Sequence, residues 1–162
     1  ECQDALTKIR ERFPATESLT STDLTKIENA DLNENLRKRA IHVSEEQARV
    51  ESFCRGIELN TSPQDLGKLL QQSHQSSSKN FENSCPELDH LADTLNQHPL
   101  ILGARLTGGG FGGAVMAWTS PGFNESNASE ITRLYEEQFN REAKWYRFQP
   151  SEGARPLDLQ EI

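Results

Sequence analysis

The segment from Thr107 to Gly113 has the composition that most needs a chemical explanation. Five of the six residues after the threonine are glycine. Glycine loses more backbone entropy on folding than any other residue, so such a cluster needs a compensating reason. We call this segment the glycine loop, and its residues are Thr107, Gly108, Gly109, Gly110, Phe111, Gly112 and Gly113.

Two interpretations of the glycine loop are open on composition alone. It is either a mobile hairpin loop, or a loop whose main chain must approach a ligand and can offer N–H groups to an anion such as phosphate. It is not a Walker loop, because no Gly-Lys-Ser/Thr follows, and its G-x-G-x-x-G match lies between two predicted strands instead of opening a helix. We predict positive φ angles at several of the glycines, but not at Phe111.

A second group of residues could hold a metal ion. His42, Glu45 and Glu46 have the i, i+3, i+4 spacing that places them on one face of a helix. However, no second histidine stands at the spacing used by zinc-dependent proteases. A solvated charge cluster is therefore the favoured interpretation, and we predict no metal site in this chain.

The other histidines do not complete a catalytic set. His74 lies on an apolar stripe beside two serines, where a hydrogen-bonded structural histidine is favoured over a general base. His90 and His98 have no convincing partners in the sequence. Because no Ser-His-Asp set or cysteine nucleophile can be assembled, we assign no catalytic residue to this chain.

Helical periodicity dominates the first hundred residues. Cys2 to Phe13 is predicted as a short helix that stops at Pro14, because a proline disfavours helix in the residue before it. Ser62-Pro63-Gln64-Asp65 opens another helix, with an N-cap serine and a first-turn proline. Between them, steps of four and three residues predict a long helix with one face formed by Leu36, Ala40, Val43, Gln47, Val50, Cys54 and Ile57.

A further helix is predicted after Ser84. Ser84 and Glu87 have the spacing of a capping box, and leucines and an alanine follow at helical spacing. The helix ends before Pro99, where the pattern changes from helical to extended.

The region after Pro99 is predicted to form a small sheet. Ile101 to Thr107 and Ala114 to Trp118 read as antiparallel strands joined by the glycine loop. A helix marked by Ile131, Leu134, Tyr135 and Phe139 follows, and Lys144 to Gln149 is predicted as a third strand. The fold class is therefore α+β, with a small antiparallel sheet and helices packed on one face.

Composition excludes some classes of partner. The formal net charge of −8 argues against nucleic acid or an anionic membrane as a bulk partner. No stretch approaches the ~18 apolar residues that a membrane span needs. The three cysteines include no C-x-x-C pair, which favours a reducing compartment, so we predict a cytoplasmic location.

Four segments together resemble a known family. The run Gly103-Ala104-Arg105-Leu106 followed by the glycine loop resembles the third, C-terminal motif of the GHMP small-molecule kinases, in its galactokinase form. The run from Lys38 to Glu45 is similar to the family's R-R-A-x-H-V-x-x-E helix. Ser73-His74-Gln75-Ser76 and Cys85-Pro86-Glu87-Leu88-Asp89, the last two of the four, are similar to its S-H-x-S and C-P-E-L-D motifs. In addition to these four segments, Pro150 to Arg155 is similar to the family's closing strand.

The resemblance implies a fold and a function. It implies that residues 1–162 are the C-terminal domain of a GHMP kinase, a ferredoxin-like fold with extra helices. The full-length protein would use ATP and Mg²⁺ to phosphorylate the C1 hydroxyl of galactose. By the resemblance, the sugar-recognition motif, the main phosphate-binding loop and the catalytic aspartate belong to an N-terminal half that precedes Glu1.

The resemblance also implies how this chain takes part. The glycine loop would lie beside the main phosphate-binding loop, shape the cleft and contact substrate or phosphate through its main chain. Valine at Gly109 or Gly110 is then expected to reduce activity far more than stability. The isolated chain is expected to lack galactose phosphorylation and to self-associate, either through a bared strand edge or through the surface that faced its own N-terminal half.

Two departures and two alternatives accompany the resemblance. Ala114 stands where galactokinases usually have cysteine, and Pro156 interrupts the expected final strand. Neither affects the glycines of the motif. The alternatives are a noncatalytic galactokinase-like sensor or interaction protein, and a kinase for a related sugar such as N-acetylgalactosamine.

Overall fold

In the computed structural model, which describes residues 1–151 and 153, helices precede a hairpin and one helix follows it. The helices are α1 (Cys2–Arg12), α2 (Leu24–Asn29), α3 (Glu34–Glu58), α4 (Pro63–Ser76), a π-helix (Ser77–Phe81), α5 (Pro86–Gln97) and α6 (Glu125–Phe139). The strands are β1 (Ile101–Thr107) and β2 (Ala114–Thr119). The α+β class with a small antiparallel sheet is confirmed. Within the described residues, no helix is long and apolar enough to cross a membrane.

The long helix α3 begins and extends as its sequence predicts. The side chain of Asn33 accepts a hydrogen bond from the Leu36 N–H and caps the N-terminus. The predicted apolar face is buried only over its first half, where Ala40 is fully buried. Farther along, Val50 and Ile57 are 55% and 57% exposed. The stripe therefore has a partner near the start of the helix and lies open near its end.

The partner of α3 is a helical layer that the sequence predicts only in part. Helix α2 was not predicted, because six residues are too few to show a period. Asp23 caps it by accepting from the Lys26 N–H, and Ile27 is fully buried. The resulting apolar cluster joins α1, α2 and α3 and contains Ala5, Ile9, Leu19, Ile27, Ala30, Leu32 and Ala40.

Helix α4 starts with the predicted cap and ends in an unpredicted way. Ser62 accepts from the Asp65 N–H at 3.1 Å, and Pro63 occupies the first turn. At its C-terminal end the chain continues as the π-helix and then turns at Glu82, whose φ is +57°. That turn returns the chain towards the hairpin.

The capping box predicted for α5 is wrong. The N-cap residue is Cys85, and no side chain caps this helix. The hydroxyl of Ser84 instead donates to the carboxylate of Asp89, which also accepts from Ser78 at 3.0 Å. Because the helix begins one residue later than the pattern indicates, Ser84 lies outside the N-cap position and its hydroxyl serves to anchor Asp89.

The hairpin has the predicted antiparallel pairing. Arg105 pairs with Met116, and Thr107 pairs with Ala114 at the end that carries the glycine loop. A second apolar cluster lies under the hairpin and consists of Leu95, Ile101, Ala104 and Ile131. Helix α6 begins at a capping box, in which Asn124 accepts from the Asn127 N–H and Asn127 accepts from the Asn124 N–H.

The third strand predicted at Lys144 to Gln149 is wrong. This segment has no regular secondary structure, and its side chains are mostly exposed. Within residues 1–151 and 153 the sheet has two strands, so this segment has no neighbour with which to pair its main chain. The predicted closing segment Pro150 to Arg155 and the interruption at Pro156 fall largely or wholly outside the described residues.

The outer edge of β1 is covered by side chains. Asn96 of α5 accepts from the Ala104 N–H at 2.7 Å and donates to the Ala104 carbonyl at 3.1 Å. His74 of α4 accepts from the Leu106 N–H at 3.2 Å. These bonds take the place of a neighbouring strand, so the outer edge of β1 is not the unpaired strand edge expected from the sequence.

Candidate functional site

The glycine loop connects the end of β1 to the start of β2, and several of its residues have positive φ angles. Gly108, Gly110 and Gly112 have φ angles of +70°, +82° and +94°, which confirms the prediction of several positive φ angles. Phe111 also has a positive φ, +55°, so the prediction that Phe111 would not adopt one is wrong. Its N–H donates to the carbonyl of Asn83 at 2.8 Å, and that contact fixes it in a region that side chains normally avoid.

One side of the loop packs against the turn that precedes α5. The Asn83 side chain donates to the Gly109 carbonyl at 3.2 Å. An added Cβ on Gly110 would lie 1.9 Å from the Asn83 carbonyl oxygen, so no larger residue fits at this position. Gly110 is thus required by this chain's own packing as well as by its positive φ.

The other side of the loop faces open space. An added Cβ on Gly108, Gly109 or Gly112 would meet no described atom within 4 Å. Gly109 also lacks a positive φ, so nothing within the described residues requires a glycine there. Phe111 is 78% exposed. An open main chain of this kind can approach an anionic ligand closely and donate N–H groups to it.

His42, the histidine of the candidate metal-binding trio, contacts a serine hydroxyl and a phenylalanine ring. His42 Nδ1 lies 3.0 Å from Ser76 Oγ, and its ring lies against Phe81 at 4.6 Å between centroids. Burial lowers the pKa of His42 below its ordinary value, although Glu46 nearby opposes this effect.

The two glutamates of the trio bind arginine side chains, and one of them also binds a serine hydroxyl. Glu46 accepts from Ser73 at 2.7 Å and from Arg49, while Arg105 lies 3.4 Å away. Burial opposes ionisation of Glu46, but the hydrogen bonds from Ser73 and Arg49 outweigh it and lower the pKa of the carboxyl. Glu45 pairs with Arg49 at 3.3 Å. Among residues 1–151 and 153, no group of three or more His, Cys, Asp or Glu side chains is placed to hold a metal ion.

His74 has the structural role that its apolar stripe predicts. It is buried, and its Nδ1 accepts from the Leu106 N–H of β1. Its Nε2 lies 3.2 Å from Asp89 Oδ1 of α5. This histidine therefore links α4, β1 and α5, and the S-H-x-S and C-P-E-L-D segments meet at it. The rings of His90 and His98 lie edge-on to Phe139 and Phe123.

Arg39 connects helix α3 to the first residue of the chain and to the π-helix region, a role that was not predicted from the sequence. Its side chain is 11% exposed and donates to Glu1 at 2.7 Å, to the Asn80 carbonyl at 2.6 Å and to Glu82 at 2.9 Å. Hydrogen bonds from Arg39 and then Lys38 lower the pKa of Glu82. A signal was present, because Arg39 lies three residues after Leu36 and four before Val43, which places it beside the apolar face, where a buried arginine must be paired.

A groove lies beside the glycine loop, on the side of α5 and α6. Its lining includes Glu87, Phe111, Gly112, Tyr135 and Arg141. Arg141 and Glu87 form an ion pair at 3.0 Å across it. The loop thus borders a concave surface that carries both charged and aromatic side chains.

Comparison with known proteins gives the same family as the motif resemblance. Residues 50–140 match the family described as GHMP kinases C terminal. The chain is 32% identical over 157 residues to a galactokinase of Thermotoga neapolitana and 30% identical over 159 residues to one of Bacillus subtilis. The crystal structure of Lactococcus lactis galactokinase complexed with galactose has a TM-score of 0.79 and 31% identity, and the match covers 90% of this chain and 38% of that one.

The matches cover nearly all of this chain and less than half of each relative. They include 97% of this chain, but 43% of the Thermotoga protein and 40% of the Bacillus protein. The chain thus spans about two fifths of the length of these curated relatives. The family match extends over more than half of the chain and includes α4, α5, the hairpin and α6. The chain therefore belongs to the GHMP kinase family and carries its C-terminal domain.

Proposed function

We propose that this chain is the C-terminal part of a galactokinase, which transfers a phosphoryl group from ATP to the C1 hydroxyl of galactose. The observation that carries the proposal is the glycine loop, with one side packed on Asn83 and the other open at Gly109. The similarity of almost the whole chain to galactokinases supports it.

In this proposal the loop acts through its main chain. Thr107 to Gly113 shapes the active-site cleft and contacts the substrate or the transferred phosphate. Phosphoryl transfer depends mainly on positioning and on electrostatic stabilisation, so a loop without an acid or base can still contribute to the rate. ATP supplies the phosphoryl group, and the open main chain of the loop suits its phosphate oxygens. Among the described residues, no group of three or more His, Cys, Asp or Glu side chains is placed to bind Mg²⁺. We assign the Mg²⁺ ligands to the remainder of the protein.

No catalytic residue is assigned to this chain. The catalytic base, the sugar-recognition residues and the main phosphate-binding loop are proposed to come from the protein's own N-terminal half. Residues 1–162 alone are accordingly expected to be inactive. The cytoplasmic location expected from the cysteines stays a prediction.

The test uses the full-length protein with ATP, Mg²⁺ and a panel of sugars. The proposal expects ADP release that depends on galactose, with galactose 1-phosphate as the product by NMR. Release with N-acetylgalactosamine but not galactose would reassign the sugar. Tight galactose binding by calorimetry without ADP release would indicate the noncatalytic sensor instead.

A further inference from the structure

Apart from its two ends, which continue into β1 and β2, the glycine loop is bonded to the rest of the described domain at Asn83. Among the described residues, the hydrogen bonds from residues 108–113 to other segments all go to Asn83. Its carbonyl accepts from the Phe111 N–H, and its side chain donates to the Gly109 carbonyl. The two bonds lie on either side of Gly110, where an added Cβ would lie 1.9 Å from the same carbonyl oxygen.

Asn83 is itself held in place by the turn before it. Its N–H donates to the Ser77 carbonyl of the π-helix at 3.3 Å. The preceding residue, Glu82, has a positive φ and is bound by Arg39 at 2.9 Å and by Lys38 at 3.2 Å. Both cations belong to α3, so the position of Asn83 is set by the longest helix of the domain.

The loop conformation needs such a support. Phe111 is held at a φ of +55°, which is unfavourable for a residue with a Cβ, and its exposed ring has little packing to compensate. Among the described residues, the two bonds to Asn83 are the hydrogen bonds from another segment that oppose relaxation of residues 108–113. Without them the open face at Gly109 would sample other shapes.

We propose that Asn83 is a positioning residue, which fixes the glycine loop in the shape that its main chain presents to the substrate. The inference rests on the proposed function, because it assigns the residue that prepares the same site. Asn83 acts through the loop and has no contact with the reacting atoms in this account. A loop held in advance loses less freedom when the transition state forms.

The test compares Asn83→Asp with a matched control, Asn80→Asp, in the full-length protein. Both changes are nearly isosteric and add one charge, the first in the turn that follows the π-helix and the second within the π-helix. Asn83→Asp alone replaces the donor to the Gly109 carbonyl with an oxygen, whereas the Asn80 side chain makes a long 3.4 Å bond to Ser76. Asn83→Ala is the second variant, since it removes the donor without adding charge.

We expect kcat to fall about tenfold in both Asn83 variants, with KM changed less than twofold and the unfolding midpoint close to that of the control. Hydrogen exchange of the Phe111 amide should be about tenfold faster than in Asn80→Asp. Equal kcat in the Asn83 variants and the control would overturn the inference. A fall in kcat that matches an equal loss of folded protein would also overturn it.

The exchange measurement separates this inference from the proposed function. If the unaltered protein does not phosphorylate galactose, the proposed function fails, and the exchange rate of the Phe111 amide still decides whether Asn83 holds the loop. Faster exchange in the Asn83 variants supports the positioning role. Unchanged exchange contradicts it.

Discussion

Gly67 of α4 and Gly103 of β1 place their backbones in direct contact. An added Cβ on Gly103 would lie 2.2 Å from the Gly67 carbonyl oxygen, and one on Gly67 would lie 1.9 Å from the Leu102 carbonyl oxygen. Helix and strand therefore pack with no side chain between them at this point. The close packing brings His74, two turns farther along α4, within hydrogen-bonding distance of the Leu106 N–H.

Gly67→Ala should destabilise the protein by about 2 kcal/mol, measured by urea unfolding. Alanine gains about 1 kcal/mol in helix propensity, but overpacking at a rigid backbone contact costs up to about 3 kcal/mol. Gly122→Ala is the control, because its added methyl group would lie 3.5 Å from a flexible leucine side chain. Equal stability of the two variants would contradict the close contact.

The sequence predicts the elements of this domain better than the contacts between them. Periodicity is a local property, so α1, α3, α4 and both strands follow from it, whereas α2 is too short to show it. The Gly67–Gly103 contact cannot be read from either segment, because each glycine is explained only by the other backbone. The prediction of a strand at Lys144 to Gln149 is wrong for a related reason, since strand formation depends on a neighbouring strand and not on composition alone.

His42 should make stability depend on pH. Burial lowers its pKa in the folded state below the ordinary value of 6.5, so the unfolded state binds the proton more readily. The stabilisation is fully present above pH 6.5 and is lost as the pH falls from there through the lowered pKa. Urea unfolding between pH 7 and pH 5 should show a decrease that is smaller in His42→Gln. An NMR titration midpoint for His42 at or above 6.5 would be inconsistent with this account.

Asn96→Ala should cost about 2 to 3 kcal/mol of unfolding free energy. The Ala104 N–H and carbonyl both lose their partner, and partly buried main-chain groups are costly when unpaired. Asn29→Ala is the comparison, because that side chain donates to a carbonyl at an exposed position. A loss below 0.5 kcal/mol, on the order of an ordinary surface change, would show that the Asn96 bonds do not cover the strand edge.

The isolated 162-residue chain should self-associate through β2. The outer edge of β1 is occupied by Asn96 and His74, whereas β2 pairs only with β1 among the described residues. An unpaired strand edge favours pairing with another chain. Light scattering should find dimers or larger species at high concentration, and Met116→Lys, at a half-exposed position on β2, should reduce them. A clean monomer for the unaltered chain would refute this prediction.

The candidate site was located from the sequence, but its internal organisation was not. Five glycines in six positions mark the loop, and the family motifs mark the helices around it. The sequence does not show that Gly110 is required by the Asn83 carbonyl while Gly109 has no neighbour. That difference arises from residues 26 or more positions apart, and it changes the expectation for one of the two valine variants.

Gly109→Val in the full-length protein tests the central claim, that the open face of the loop meets the substrate. At this position a side chain meets no described atom and φ is not positive, so the unfolding free energy should change by less than about 1 kcal/mol. Gly110→Val, by contrast, should destabilise the domain, since its added atoms would overlap Asn83. The account predicts that Gly109→Val lowers kcat/KM for galactose phosphorylation at least about a hundredfold while the protein stays folded. Full activity in a stably folded Gly109→Val variant would contradict it.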